Sequence, residues 1–102
     1  MKNAMSYPKG DLRRMLAVIA AVEAIPQATL VKIAALTGLD KKSVTHQIAE
    51  AGKQAEVTII KEGPVYTLKD WGPYINPVGA RDTLTGGINA PTISIQIDRE
   101  GA

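Results

Sequence analysis

Cysteine is absent. That excludes disulfides, thiolate metal sites and cysteine nucleophiles, and it fits a reducing compartment without demanding one. Phenylalanine is absent too, and aromatics are only 4% of the 102 residues. A core must therefore come from Ala, Val, Ile, Leu and Met, which suits a small helical domain. The chain has one histidine, His46, with no carboxylate cluster beside it in sequence. A metal centre or a catalytic site has little to be built from, so the chain is read as a non-enzyme with no cofactor. A large charge of either sign is also missing: the formal net charge is +2, a weak lean towards polyanions.

No apolar run is long enough to span a bilayer. Arg13 and Arg14 followed by the apolar stretch 15–22 imitate a twin-arginine or Sec signal. Glu23 interrupts that stretch early, and Leu12, Met15, Leu16 and Ile19 already make a helical stripe. Nothing after residue 30 looks like a mature secreted protein. The expected location is cytoplasmic, with no membrane association and no evident small-molecule ligand.

The length suits one domain and not two separate cores. The ten Lys/Arg up to Trp71 face seven Asp/Glu, against two and three from Gly72 onward, so the basic excess lies in the part read as folded. Residues 1–10, with Pro8 and Gly10, read as a loose N-terminal arm. A first helix is expected over about 12–24, with Asp11 as cap or first-turn residue, Pro26 as stop and Leu12, Met15, Leu16, Ile19 and Val22 facing inwards. A second starts after Thr29 and ends at Thr37 and Gly38, with Leu30, Ile33, Ala34 and Leu36 as its inner face. A third runs from Asp40, its cap, to about 53, with Val44, Ile48, Ala51 and Ala55 on one side. Strands 57–61 and 65–68 flank Gly63 and Pro64 and read as a hairpin.

From 73 to 102 the chain changes character. Pro73, Pro77, Gly79, Gly86, Gly87 and Pro91 punctuate it, and an irregular tail is expected. Residues 92–98 alternate apolar and polar and form a candidate edge strand that could join the hairpin or the same strand of a second subunit. Gly86-Gly87 is no phosphate loop, because no strand precedes it and no Lys-Ser/Thr follows.

The stretch 34–48 carries the chemistry. Two short helices meet at Gly38, and the second opens with Lys41, Lys42, Ser43, Thr45, His46 and Gln47. Ammonium groups, hydroxyls, an imidazole and an amide on one helix are suited to phosphates and base edges.

Three helices followed by a hairpin, with Ile33-Ala34, Thr37-Gly38-Leu39, Lys42 to His46 and Gly63-Pro64-Val65-Tyr66-Thr67-Leu68, resemble the winged helix-turn-helix superfamily across about residues 11–70. The nearest subgroup is the N-terminal DNA-binding domain of IclR-type regulators, with MarR-type domains close behind. The resemblance implies a mainly α fold with a small β-hairpin, a winged helix-turn-helix over 11–72. It also implies that Ala34 lets helices approach and that Leu39 and Val44 plug the core under the turn. Lys42, Ser43, Thr45 and His46 would face DNA, and a wing tip at 61–64 would touch backbone or minor groove. The chain departs from the IclR pattern at two positions. His46 stands where Arg is frequent, which implies a weaker or a pH-sensitive contact. Gln47 takes a place that is usually apolar, with Ile48 one residue later, which implies a rotated recognition helix.

Each of these residues also has a plainer explanation. Lys41 and Lys42 either contact phosphate, helped by the helix dipole, or solvate a helix start. Ser43 can be an ordinary first-turn polar residue. Thr45 can meet a thymine methyl and Gln47 an adenine, or both can be solvated. Arg13 and Arg14 either reach the DNA backbone or remain a solvated pair, while Lys53 and Lys61 add positive charge at the helix end and the wing. Trp71 and Tyr74 either cap the open end of the core, the reading preferred, or form a dimer contact; Tyr66 is read as core. The expected function is sequence-specific binding of double-stranded DNA by a homodimeric transcriptional regulator, with the first helix and the tail strand as candidate dimer surfaces. The alternative is a winged-helix protein–protein interaction module, an adaptor or a replication or partition accessory.

Overall fold

The Asp11 carboxylate accepts a hydrogen bond from the Arg13 amide at 2.8 Å and starts helix α1, Leu12–Ala24. This is the first cap in a computed structural model that describes residues 7–85. Ile25 is extended, Pro26 follows and α1 stops there. Thr29 caps α2, Leu30–Thr37, by accepting from the Lys32 amide at 3.3 Å. Gly38 ends α2 in the left-handed region, φ 78°, where a side chain would be strained. Two residues later Asp40 accepts from the Ser43 amide at 2.6 Å and starts α3, Lys41–Ala55. These boundaries follow the expected caps closely, because each cap acts within a few residues of chain.

Strands β1, Thr58–Glu62, and β2, Val65–Asp70, pair antiparallel, with Glu62 opposite Val65 and a two-residue turn at Gly63 and Pro64. The register shifts between Thr58 and Ile59. Outside the hairpin, the Tyr66 amide donates to the Ala28 carbonyl at 2.8 Å. That bond ties β2 to the connection between α1 and α2.

A fourth helix, α4, covers Pro77–Thr85. This corrects the expectation of an irregular chain after residue 73. Asn76 Oδ1 accepts from the amides of Val78 and Gly79 at 3.0 and 3.3 Å, and Pro77 occupies the first helical position. Proline suits that position because its missing N–H would have had no helical partner. Pro77 therefore starts a helix here, although in the sequence it reads as a break. The candidate strand at 92–98 lies outside the described residues.

Helix α1 occupies the centre, with α2, α3, α4 and β2 all packed on it. Met15, Ile19 and Val22 are buried as expected, but so are Ala17, Val18, Ala20 and Ala21. Leu12 is 63% exposed and Leu16 half-buried, contrary to the expected stripe. The reason is α4, which takes up a flank of α1 that a three-helix domain would leave to water; its Leu84 packs on the cluster of Val18, Ala21, Val22 and Ile33. Small side chains at 17, 20 and 21 let neighbouring backbones come close. In α2, Ile33 and Thr37 are buried and Leu36 is exposed. Thr37 sits inside because its hydroxyl donates to the Ile33 carbonyl at 2.8 Å.

The described part of the expected N-terminal arm is not loose. Tyr7 is only 7% exposed and donates its hydroxyl to the Thr83 carbonyl of α4 at 2.7 Å. The end of the core shows a split outcome. Trp71 packs against Met15, Ile19 and Ala55 as a cap, whereas Tyr74 is 70% exposed.

Glu23 at the end of α1 accepts from Arg81 Nε and Nη2 of α4, both at 2.8 Å, and from Trp71 Nε1 at 3.3 Å. The Arg81 hydrogen bonds hold its carboxyl below the ordinary 4.5. An acid whose folded pKa is lowered contributes stability that is present above its unfolded pKa and lost as pH falls through the folded value. Acid titration should therefore loosen α4 from α1 below about pH 4.5. Trp71, the only tryptophan, reports this directly. Its emission should change across that range in the native chain and stay flat in Glu23→Gln; a transition at the same pH in both would rule out Glu23 as the group responsible.

Candidate nucleic-acid interface

The local rules that start α3 also decide what it exposes. Val44, Ala51 and Ala55 are buried and Ile48 is half-buried, so the opposite side of the helix is bare. That bare side carries Lys42, His46, Ala49 and Lys53 at three- and four-residue spacing, with Lys41 and Thr45 beside them. All six are exposed. Thr45 Oγ1 donates to the Lys41 carbonyl at 3.0 Å. Its hydroxyl hydrogen is thereby used within the helix. Ser43 and Gln47 are half-buried at the edge of this face.

The two N-terminal arginines, equivalent in the sequence, separate in the structure. Arg13 turns to Asp11, with Nε and Nη2 donating at 2.9 and 2.7 Å, and its guanidinium lies 4.5 Å from the centre of the Tyr7 ring. The Arg13 hydrogen bonds pull the Asp11 carboxyl down to about 2. Arg13 is thus committed to a carboxylate and an aromatic ring. Arg14 lies on another side of α1 and lines a cleft of about 390 Å³ with Lys9, Lys42, Ser43, His46 and Gln47. Asp40 also borders this cleft. Its carboxyl is held below the usual range by the Ser43 hydrogen bond first, and then by the charges of Arg14 and Lys42.

Lys9 is the residue that sequence reasoning missed. It lies in what reads as a loose arm, but the Asp11 amide donates to the Pro8 carbonyl at 3.0 Å and Gly10 adopts φ 85°. That turn places Lys9 beside the start of α3. The Pro8 and Gly10 that frame it were the available signal.

Lys61 stands apart from the cleft. Its ammonium is 5.7 Å from the centre of the Tyr66 ring, and it borders a separate hollow with Thr29, Leu30, Val31 and Pro64. Lys41 and Lys53 border neither hollow. The structure thus brings Arg14, Lys42, Ser43, His46 and Gln47 together, and leaves Arg13 and Lys61 elsewhere. Among the described residues no three of His, Asp or Glu gather as a metal site, and no helix is long and apolar enough to cross a membrane. Compared with family models, curated proteins and solved structures, the chain matches none.

Proposed function

We propose that this chain is a small winged helix-turn-helix protein that binds double-stranded DNA in a sequence-specific way, acting in the cytoplasm as a homodimeric transcriptional regulator. The observation that carries the reading is the bare polar side of α3. A helix preceded by a left-handed glycine turn keeps its apolar side on the core and leaves three lysines, His46 and Thr45 uncovered. With 15 residues it is about 22 Å long, enough to lie in a major groove about 12 Å wide. The hairpin, tied to the connection between α1 and α2 through Tyr66 and Ala28, would serve as the wing, with Lys61 on the DNA backbone. Lys41, Lys42 and Lys53 would supply affinity through counterion release, and Thr45, His46 and Gln47 selectivity. One module touches few base pairs, so useful specificity calls for two copies on paired half-sites.

The test is selection from a pool of random duplexes at two salt concentrations. Enrichment of a palindromic site, with retention weakened by salt, is the expected result. Absence of both enrichment and salt-dependent retention would overturn the DNA reading.

A second reading, a protein–protein interaction module on the same fold, is favoured by one observation. Leu12, Tyr74 and Val78 are 63%, 70% and 62% exposed, and the first two border an apolar groove of about 390 Å³ between α1 and the start of α4. In that case Leu12→Ser would abolish function while substitutions on the bare side of α3 would not.

A further inference from the structure

Three arginines lie among the described residues, and two of them are paired. Arg13 closes on Asp11 and Arg81 closes on Glu23, each through two nitrogens at 2.7–2.9 Å. Arg14 makes no such pair among the described residues, and its Nε is buried without a hydrogen-bond partner. A guanidinium carries five donors and keeps its charge at any physiological pH. A donor shut away from water with no acceptor forgoes both hydration and a protein bond. Arg14 lines an open cleft, where its guanidinium charge, unpaired among the described residues, can meet an acceptor from outside.

The other groups around the cleft define that acceptor. Lys9, Arg14 and Lys42 face a single carboxylate, Asp40, whose oxygen is engaged by the Ser43 amide at 2.6 Å. Positive charge is therefore in excess. The Ser43 hydroxyl and the His46 ring add further hydrogen-bonding groups. A tetrahedral oxyanion matches this set: it accepts two parallel bonds from a guanidinium and further bonds from ammonium groups around it. The set lies in a recess at the start of α1, beside the bare side of α3.

We propose that the cleft between the start of α1 and the start of α3 is a phosphate site, with Arg14 as the bidentate donor and Lys9 and Lys42 as flanking charges. Its occupant is a backbone phosphodiester of the duplex, so the proposal rests on the DNA reading above. The contact fixes where α3 enters the groove, because Arg14 belongs to a different helix and so gives a second fixed point on the strand. It also divides the labour between the adjacent arginines. Arg13 secures the N-terminal segment through Asp11 and Tyr7, and Arg14 is left for the ligand.

The experiment uses the full chain labelled with ¹⁵N, a 20-base-pair duplex as one probe and inorganic phosphate as the other. With duplex, the Arg14 Nε–H signal and the Ser43 amide are expected to shift. Arg14→Gln should weaken duplex binding about tenfold and reduce the slope of log affinity against log salt by about one. Lys69→Gln, which removes one charge on β2, should change affinity less than threefold. Lys9→Ala, on an exposed side chain that cannot unfold the core, should weaken binding in the same direction as Arg14→Gln. If native protein binds duplex and both cleft variants retain its affinity and salt slope, the cleft proposal is overturned while the DNA reading stands. If no duplex binds but millimolar phosphate shifts Arg14 Nε–H, the DNA reading fails and the phosphate site stands, with a free anion as its occupant. If neither probe moves Arg14, the site itself is refuted.

Discussion

The double variant Lys41→Glu/Lys53→Glu is expected to bind duplex DNA about a hundredfold more weakly than the native chain at 0.1 M salt, with its thermal midpoint nearly unchanged. Lys53 lies on the bare side of α3 and Lys41 beside it, both exposed, and neither borders the Arg14 cleft, so the variant tests the helix by itself. The size follows from counterion release. Each phosphate neutralised contributes about 0.9 in log affinity for each tenfold dilution of salt, so two contacts account for about two decades between 1 M and 0.1 M. Stability should hold because the two changes oppose each other along the helix dipole. A carboxylate at residue 41 is favourable near the N-terminus, and one at 53 is unfavourable in the last turn. Fluorescence anisotropy with a labelled duplex at several salt concentrations measures the affinity, and far-UV circular dichroism measures the melt. Affinity within threefold of native, with the fold intact, would mean that α3 does not lie on DNA.

Gly72→Ala is expected to cost about 3 kcal/mol and to lower the midpoint by about 15 °C. Gly72 follows β2 with φ 79°, which any other residue adopts at a cost. Space is the larger problem. A Cβ there would run into the Ala55 carbonyl and would lie 2.8 Å from the Glu56 carbonyl oxygen. Both belong to backbone at the end of α3, where Glu56 already holds a left-handed φ of 58°, so neither can yield cheaply. Gly63, at φ 59°, has nothing within 4 Å of its missing Cβ, and Gly63→Ala should cost only the backbone term, about 1 kcal/mol. Urea or thermal melts of the two variants separate crowding from backbone strain. Equal losses would show that the close approach of residue 72 to α3 is not what demands glycine.

Some of this was legible along the chain. Asp11, Thr29 and Asp40 cap where their residue types predict, and Gly38 turns where a left-handed residue is needed. The hairpin turn at Gly63 and Pro64 follows the same logic. Helix α4 was missed because Pro77 and Gly79 read as breaks, although Asn76 before Pro77 is a good helix start. The different surroundings of Arg13 and Arg14 were not legible. Neighbouring positions on a helix point about 100° apart, and nothing in the pair itself says which one finds a carboxylate. The same holds for Lys9, whose value comes from a turn that brings it to a helix thirty residues away in sequence.

The sequence by itself determined the order of the first three helices and the hairpin and the polar side of α3, because caps, left-handed glycines and helical periodicity act over a few residues. Tertiary structure alone decided which sides of α1 are buried, which arginine is left without a partner among the described residues and how closely residue 72 approaches α3. Those outcomes depend on elements remote in the chain meeting in space. α4 covers α1 through Leu84 and the Arg81–Glu23 pair, Tyr7 reaches Thr83, and the start of α3 comes to lie beside Arg14.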